Sequence, residues 1–210
     1  MKRKIYVVGG SNEYANWMQG EIVHNMEDAD LVLFTGGEDV TPLLYGDPKH
    51  PFTGNNYDRD LRETEKFKKA QELGKHVIGI CRGSQFTCAM SGGRLVQHQE
   101  NPHLYHQIRT SDGKQITISS THHQAMFPYD MNKEDYKILA WTKDMLRYHQ
   151  DGNGQEMINN RDLGEVEICY FPKTKVLGIQ GHPEFMDKKR YPDTFDYLTN
   201  LLDNHMEDKL

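Results

Sequence analysis

KHVIGICRGSQFTCAMSGG, residues 75–93, decides the fold. The apolar run His76–Ile80 reads as a buried strand. Ser84–Ser91 reads as a helix, stopped by Gly92 and Gly93. Cys81 stands between them, framed by Gly79 and Gly83. A strand that passes straight into a helix folds its backbone tightly on itself, so the flanking residues must be small. That is the logic of the G-x-S-x-G nucleophile elbow, with a thiol in place of the hydroxyl. Such a turn lifts the Cys81 side chain above the sheet edge and sets it at a helix N-terminus, whose partial positive charge favours thiolate. The backbone N–H of Arg82 then points to where a tetrahedral oxyanion would form. Cys88 and Cys169 lack this frame and read as core residues.

Working outward, KIYVVGG (4–10) is a first strand, SNEYANWMQG (11–20) a short helix with Ser11 as N-cap, and ADLVLFTGG (29–37) a second buried strand. YDRDLRETEKFKKAQELG (57–74) is a charged amphipathic helix with Phe67, Ala70 and Leu73 on one face and Gly74 as its stop. Beyond residue 93 the pattern becomes consecutive strands, KQITIS, KILAWT, EVEICYF and VLGIQG, broken by SDGK and by DGNG, a hairpin turn. YPDTFDYLTNLLDNHM closes the chain as a helix with Phe195, Leu198, Leu201 and Leu202 inward. Early β/α alternation followed by strands predicts a single α/β domain over 1–210, a three-layer sandwich around a mostly parallel sheet.

The 210 residues carry a net charge of −6, and no basic face speaks for nucleic acid. No apolar run nears a membrane span or a signal-peptide core, and three widely spaced cysteines form no disulfide framework. A cytoplasmic setting is expected. His98, His103 and His106 fit no standard ligand spacing and read as a loop, so no metal is expected. There is no dinucleotide fingerprint or Walker A loop, so no cofactor is expected.

A thiolate nucleophile needs a base and a group to orient it. GIQGHPEF (178–185) offers both: His182 emerges from a strand end, and Glu184 follows across a stiff proline. Gly36 and Gly37 form a third turn at the same sheet edge, with backbone N–H groups available to an oxyanion or a substrate carbonyl. Active sites of open α/β sheets gather at these carboxyl ends.

TGGEDVTPLLYG (35–46), YDRDLRETE (57–65), GICRGSQ (79–85), GGRLVQH (92–98), STHHQA (120–125) and GIQGHPEF, in that order, resemble the class I glutamine amidotransferase superfamily, nearest its γ-glutamyl-γ-aminobutyrate hydrolase branch. The resemblance implies the flavodoxin-like fold of that superfamily. It implies Cys81 as nucleophile, His182 as general base and acid, and Glu184 as the residue that orients His182. Gly37 and Arg82 would supply the oxyanion N–H groups. Gln85, His123 and Gln124 would line the glutamyl pocket, with His122 a weaker candidate. The implied reaction is hydrolysis of a γ-glutamyl amide through a thioester, with glutamine the leading substrate and an ammonia-accepting synthetase as a possible partner. The alternatives are a stand-alone hydrolase of γ-glutamylated amines and a catalytically silent binding member of the fold.

Overall fold

The computed structural model describes residues 2–99, 104–142, 149–157 and 164–210. The strands are β1 (Lys4–Val8), β2 (Glu21–Ile22), β3 (Leu31–Phe34), β4 (His76–Ile80), β5 (Arg94–Val96), β6 (His98–Gln99), β7 (Tyr105–Thr110), β8 (Gln115–Ser119), β9 (Ala125–Phe127), β10 (Lys137–Thr142), β11 (His149–Gln150), β12 (Glu165–Phe171) and β13 (Val176–Ile179). The α-helices are α1 (Tyr57–Glu72), α2 (Arg82–Met90) and α3 (Pro192–Met206).

Nine strands form one sheet in the order β2-β1-β3-β4-β13-β12-β10-β7-β8. From β2 through β13 the neighbours run parallel; from β13 through β8 they run antiparallel. Two short ladders, β6 with β11 and β5 with β9, stand apart. The parallel strands β3 and β13 are buried along their whole length, and β4 from Val77 onward, as continuous apolar runs covered on both faces require. Side chains alternate between those faces. Leu31, Leu33, Ile78 and Ile80 pack with Phe195, Leu198, Leu201 and Leu202 of α3. Val32, Phe34 and Val77 pack with Phe67 and Ala70 of α1 and Phe86 of α2. The result is the three-layer α/β arrangement.

Several local expectations are corrected. Residues 12–18 form a 3-10 helix, with Ser11 Oγ accepting from the Glu13 N–H at 3.1 Å. Leu73 lies just beyond the last turn of α1 and is 39% exposed; Gly74 at φ +63° has already turned the chain away. Two of the three histidines read as a loop lie in strands. His98 lies in β6, and His106 is buried in β7 with Nε2 2.8 Å from Glu167 Oε1. His103 lies outside the described residues. Asp151–Gly154 does form a turn, closed by the Gly154 N–H on Asp151 O and flanked by a Gln150–Glu156 bridge. Cys88 and Cys169 are core residues, and burial pushes both thiols up, that of Cys88 to about 12.

Among the described residues, no helix is long and apolar enough to cross a membrane. Every element that matters to the chemistry ends at one edge, because β1, β3, β4 and β13 are parallel and their carboxyl ends open there into the 9–10, 35–38, 81–83 and 180–184 turns.

Candidate active site

Cys81 is the sharpest point of the backbone. It adopts φ +52°, ψ −114°, a region an L-residue enters only when its surroundings force it. Those surroundings are bare backbone. A Cβ on Gly83 would lie 2.1 Å from Phe34 O, and one on Gly79 would lie 2.4 Å from Gly83 O. The elbow therefore closes only with hydrogen at both positions. The Cys81 carbonyl accepts from the Ser84 N–H at 2.9 Å and the Ser84 hydroxyl at 2.7 Å, and the Cys81 N–H donates to Ile179 O at 2.8 Å.

His182 follows the end of β13, the strand beside β4. It lines one pocket with Cys81, and the neighbouring sulfur favours its charged form. Its Nδ1 is 2.7 Å from Glu184 Oε1, which leaves Nε2 for the sulfur. Ser119 holds the His182 backbone, its hydroxyl donating to His182 O at 2.6 Å. Phe185 stacks on the ring, centroids 4.7 Å apart. Burial alone would lower the His182 pKa, but the hydrogen bonds and negative charges of Cys81 and Glu184 outweigh it and raise the pKa to about 10. The imidazolium thus persists through neutral pH and is lost as pH rises through about 10. Exchanging Glu184 for Gln keeps the shape and removes the charge, so the His182 titration should fall by about 1–2 units. An NMR titration of the His182 ring checks this; a wild-type midpoint near the free-imidazole value would contradict the assignment.

Cys81 forms one wall of a pocket of about 270 Å³ that is also lined by Gly37, Gln85, His123, Gln124 and His182. Of the sequence-derived residues, Gly36, Arg82 and Glu184 do not line it; Glu184 reaches the site through His182 Nδ1. The Tyr14 hydroxyl lies beside Gly36, 2.7 Å from where a Cβ would stand. The Arg82 side chain is buried beneath the elbow, ion-paired with Asp60 and Glu63, leaving only its backbone N–H for the site. Gln85 Nε2 donates to Gln124 O at 2.8 Å, and Gln124 Nε2 donates to Thr53 Oγ1 and to Gln97 O, both at 3.2 Å. These two glutamines set the shape of the pocket wall. His123 Nε2 is 3.0 Å from Asp39 Oδ1, a pairing that raises its pKa. His122 also lines the pocket but is buried, and desolvation lowers its pKa to about 4, so it is neutral.

Sequence reasoning missed Tyr14, Asp39 and Phe185. The Tyr14 ring stands 6.2 Å from that of His182. Burial, then the charges of Glu184 and Cys81, push its hydroxyl up to about 12, so it stays protonated. Only the order of the strands brings it there. A wider cleft of about 510 Å³ lies behind the 36–37 turn, lined by Gly9, Gly10, Glu38, Arg59 and Lys66 among others; its lining holds no cysteine, serine or threonine.

One group, His122, Glu165 and Glu167, brings metal-ligand types within 4.8 Å of one another. One atom of each is hydrogen-bonded, to Gln99, His106 and the Gln124 carbonyl, while His122 Nε2, Glu165 Oε2 and Glu167 Oε2 are buried without a partner among the described residues. Burial, then the neighbouring Glu167 charge, raises the Glu165 pKa well above the carboxylate range, so a proton relieves the charge there.

Comparison with known proteins bears on the family. Residues 15–147 match the profile of the peptidase C26 family, a span that includes Cys81 and the 35–38 turn and stops short of His182. The glutamine amidotransferase-like protein YvdE of Lactococcus lactis is 30% identical over 159 residues, 74% of this chain and 66% of that protein. Gamma-glutamyl peptidase 4 of Arabidopsis thaliana is 27% identical over 130 residues, 60% of this chain and 46% of that protein. The chain thus spans about two thirds and about half of these relatives. Among solved structures, a chain of PurLQS from Thermotoga maritima superposes with a TM-score of 0.62 at 18% identity, covering 97% of this chain and 99% of that one. A glutamine amidotransferase from the same organism gives 0.56 at 11% identity, covering 98% and 95%. At such identities these two likenesses speak for the fold alone. With the family profile matched over more than half its length, and with the fold of the amidotransferases, the chain belongs to the peptidase C26 family of the class I glutamine amidotransferase superfamily.

Proposed function

We propose that this protein hydrolyses γ-glutamyl amides with Cys81, His182 and Glu184 as a catalytic triad. The observation that carries the reading is that Cys81 and His182 line one pocket, with the imidazole Nδ1 2.7 Å from the buried Glu184 carboxylate. The Cys81 thiolate attacks the γ-carbonyl carbon, and the oxyanion is held by the Gly37 and Arg82 N–H groups. His182 gives its proton to the departing nitrogen, leaving a γ-glutamyl thioester. It then takes a proton from water as the water attacks, and glutamate leaves with the thiolate restored. Glu184 holds the ring through Nδ1, so that Nε2 faces the sulfur throughout.

Glutamine, which would release ammonia, and a γ-glutamylated amine fit this chemistry equally. The name of the Arabidopsis relative favours the second. The amidotransferase-like name of the Lactococcus relative favours the first, with a synthetase as the ammonia acceptor. Glutamate release from glutamine and, separately, from γ-glutamyl amines distinguishes them. Turnover of a γ-glutamyl amine by the protein alone establishes a stand-alone hydrolase, and glutamine turnover that requires a second protein establishes a glutaminase subunit. No release from any of them, with Cys81 inert to alkylation, would leave a silent binding protein.

A further inference from the structure

Arg59 holds the turn at residues 35–38 from behind. Arg59 sits in the first turn of α1, whose N-cap Asn56 accepts from the Arg59 backbone N–H at 3.1 Å. Its Nη2 donates to Gly36 O at 2.9 Å, its Nη1 to Glu38 Oε2 at 2.6 Å, and its Nε to Glu63 Oε1 at 2.8 Å. The other oxygen of Glu63 pairs with Arg82, and Asp60 both pairs with Arg82 and accepts from the Thr41 N–H at 2.9 Å.

The Gly36 carbonyl and the Gly37 N–H belong to one peptide unit. A trans peptide is planar, with its oxygen and its hydrogen pointing in opposite directions. Arg59 lines the rear cleft, and Gly37 lines the pocket that contains Cys81. A guanidinium fixed on the oxygen therefore aims the N–H at the catalytic side. It also draws electron density toward the oxygen, which makes the N–H a stronger donor. The fit is close. Gly37 adopts φ +143°, and a Cβ there would come within 2.1 Å of Arg59 Nη1.

We propose that Arg59 is a positioning residue for the reaction: it orients and polarises the 36–37 peptide so that the Gly37 N–H meets the oxyanion, and through Glu63 it ties this donor to Arg82, whose N–H is the second. The inference rests on the acyl-transfer reading above. Arginine suits the task because its planar fork grips three acceptors at once and it never loses its charge.

Removing an oxyanion donor outright costs on the order of 10²- to 10³-fold in rate. Loosening one through its peptide should cost less. Arg59→Gln is expected to lower kcat about 10- to 100-fold while KM stays within about threefold. Alkylation of Cys81 by iodoacetamide builds no oxyanion, so its rate should be unchanged. That readout separates aiming from general damage, because a purely structural role would slow alkylation together with turnover. Arg59→Lys keeps the charge but cannot reach all three acceptors, and it should show a smaller loss of the same pattern; it carries the test if Arg59→Gln does not fold. An unchanged kcat, or alkylation that falls in step with kcat, overturns the proposal. A wild-type protein with no γ-glutamyl turnover removes the acyl-transfer reading and this inference with it, whereas wild-type turnover with undiminished Arg59 variants removes this inference alone.

Discussion

Cys81→Ser is expected to abolish glutamate release, with a loss of about 10⁴-fold or more, while the melting temperature stays within a few degrees of wild type. The reasoning is chemical rather than steric. Serine fills the same space at φ +52° and leaves the Ser84 and Ile179 hydrogen bonds to the backbone intact. What it lacks is a sulfur that ionises beside an imidazolium. The hydroxyl is a far weaker nucleophile unless its proton is removed as it attacks. Initial rates of glutamate release together with a thermal melt check both halves. A serine variant with a tenth of wild-type activity would exclude covalent catalysis at this position.

Gly83→Ala should act on the opposite quantity. Its new methyl would lie 2.1 Å from Phe34 O and 2.6 Å from Phe34 C, and both are backbone atoms of a fully buried strand that cannot step aside. Helix α2 would have to lift off β3, opening the packing of Phe34 against Phe86. A destabilisation of about 3 kcal/mol or more is expected, read as a melting temperature roughly 10 °C lower, or as failure to accumulate folded protein. Gly46→Ala is a fitting control, because nothing lies within 4 Å of its added carbon and its cost comes from φ alone. Equal melting temperatures for wild type and Gly83→Ala would mean that the elbow is not built as described.

The parts of the site that could be read from sequence are those in which a local motif does the work. The glycine frame of Cys81, the His182-Pro-Glu184 step and the double glycine at 36–37 each encode their own backbone geometry. The strands preceding them are continuous apolar runs, and parallel packing places their ends on one edge. What escaped was tertiary. In α1, Asp60 and Glu63 belong to a charged stretch that reads as a solvated face, yet both are buried against the Arg82 guanidinium. Tyr14 reaches the site only because β1 lies beside β3, so that the 3-10 helix after it folds over the His182 turn. Strand β7 was hidden because its outward residues, Tyr105, Gln107 and Arg109, are polar or amphipathic, and its inward His106 earns burial through Glu167 rather than through apolarity. Gly36 shows the related limit: the motif gives no hint that the Tyr14 hydroxyl, from elsewhere in the chain, lies 2.7 Å from where its Cβ would stand.

The most direct test of the account is mass spectrometry of the protein quenched in acid during turnover of a γ-glutamyl substrate. A γ-glutamyl adduct on the peptide that contains Cys81, released by hydroxylamine and enriched in Glu184→Gln if the second step slows, is the predicted result. Steady turnover with no acyl group ever found on that cysteine, or an adduct at Cys88 or Cys169 instead, would contradict it.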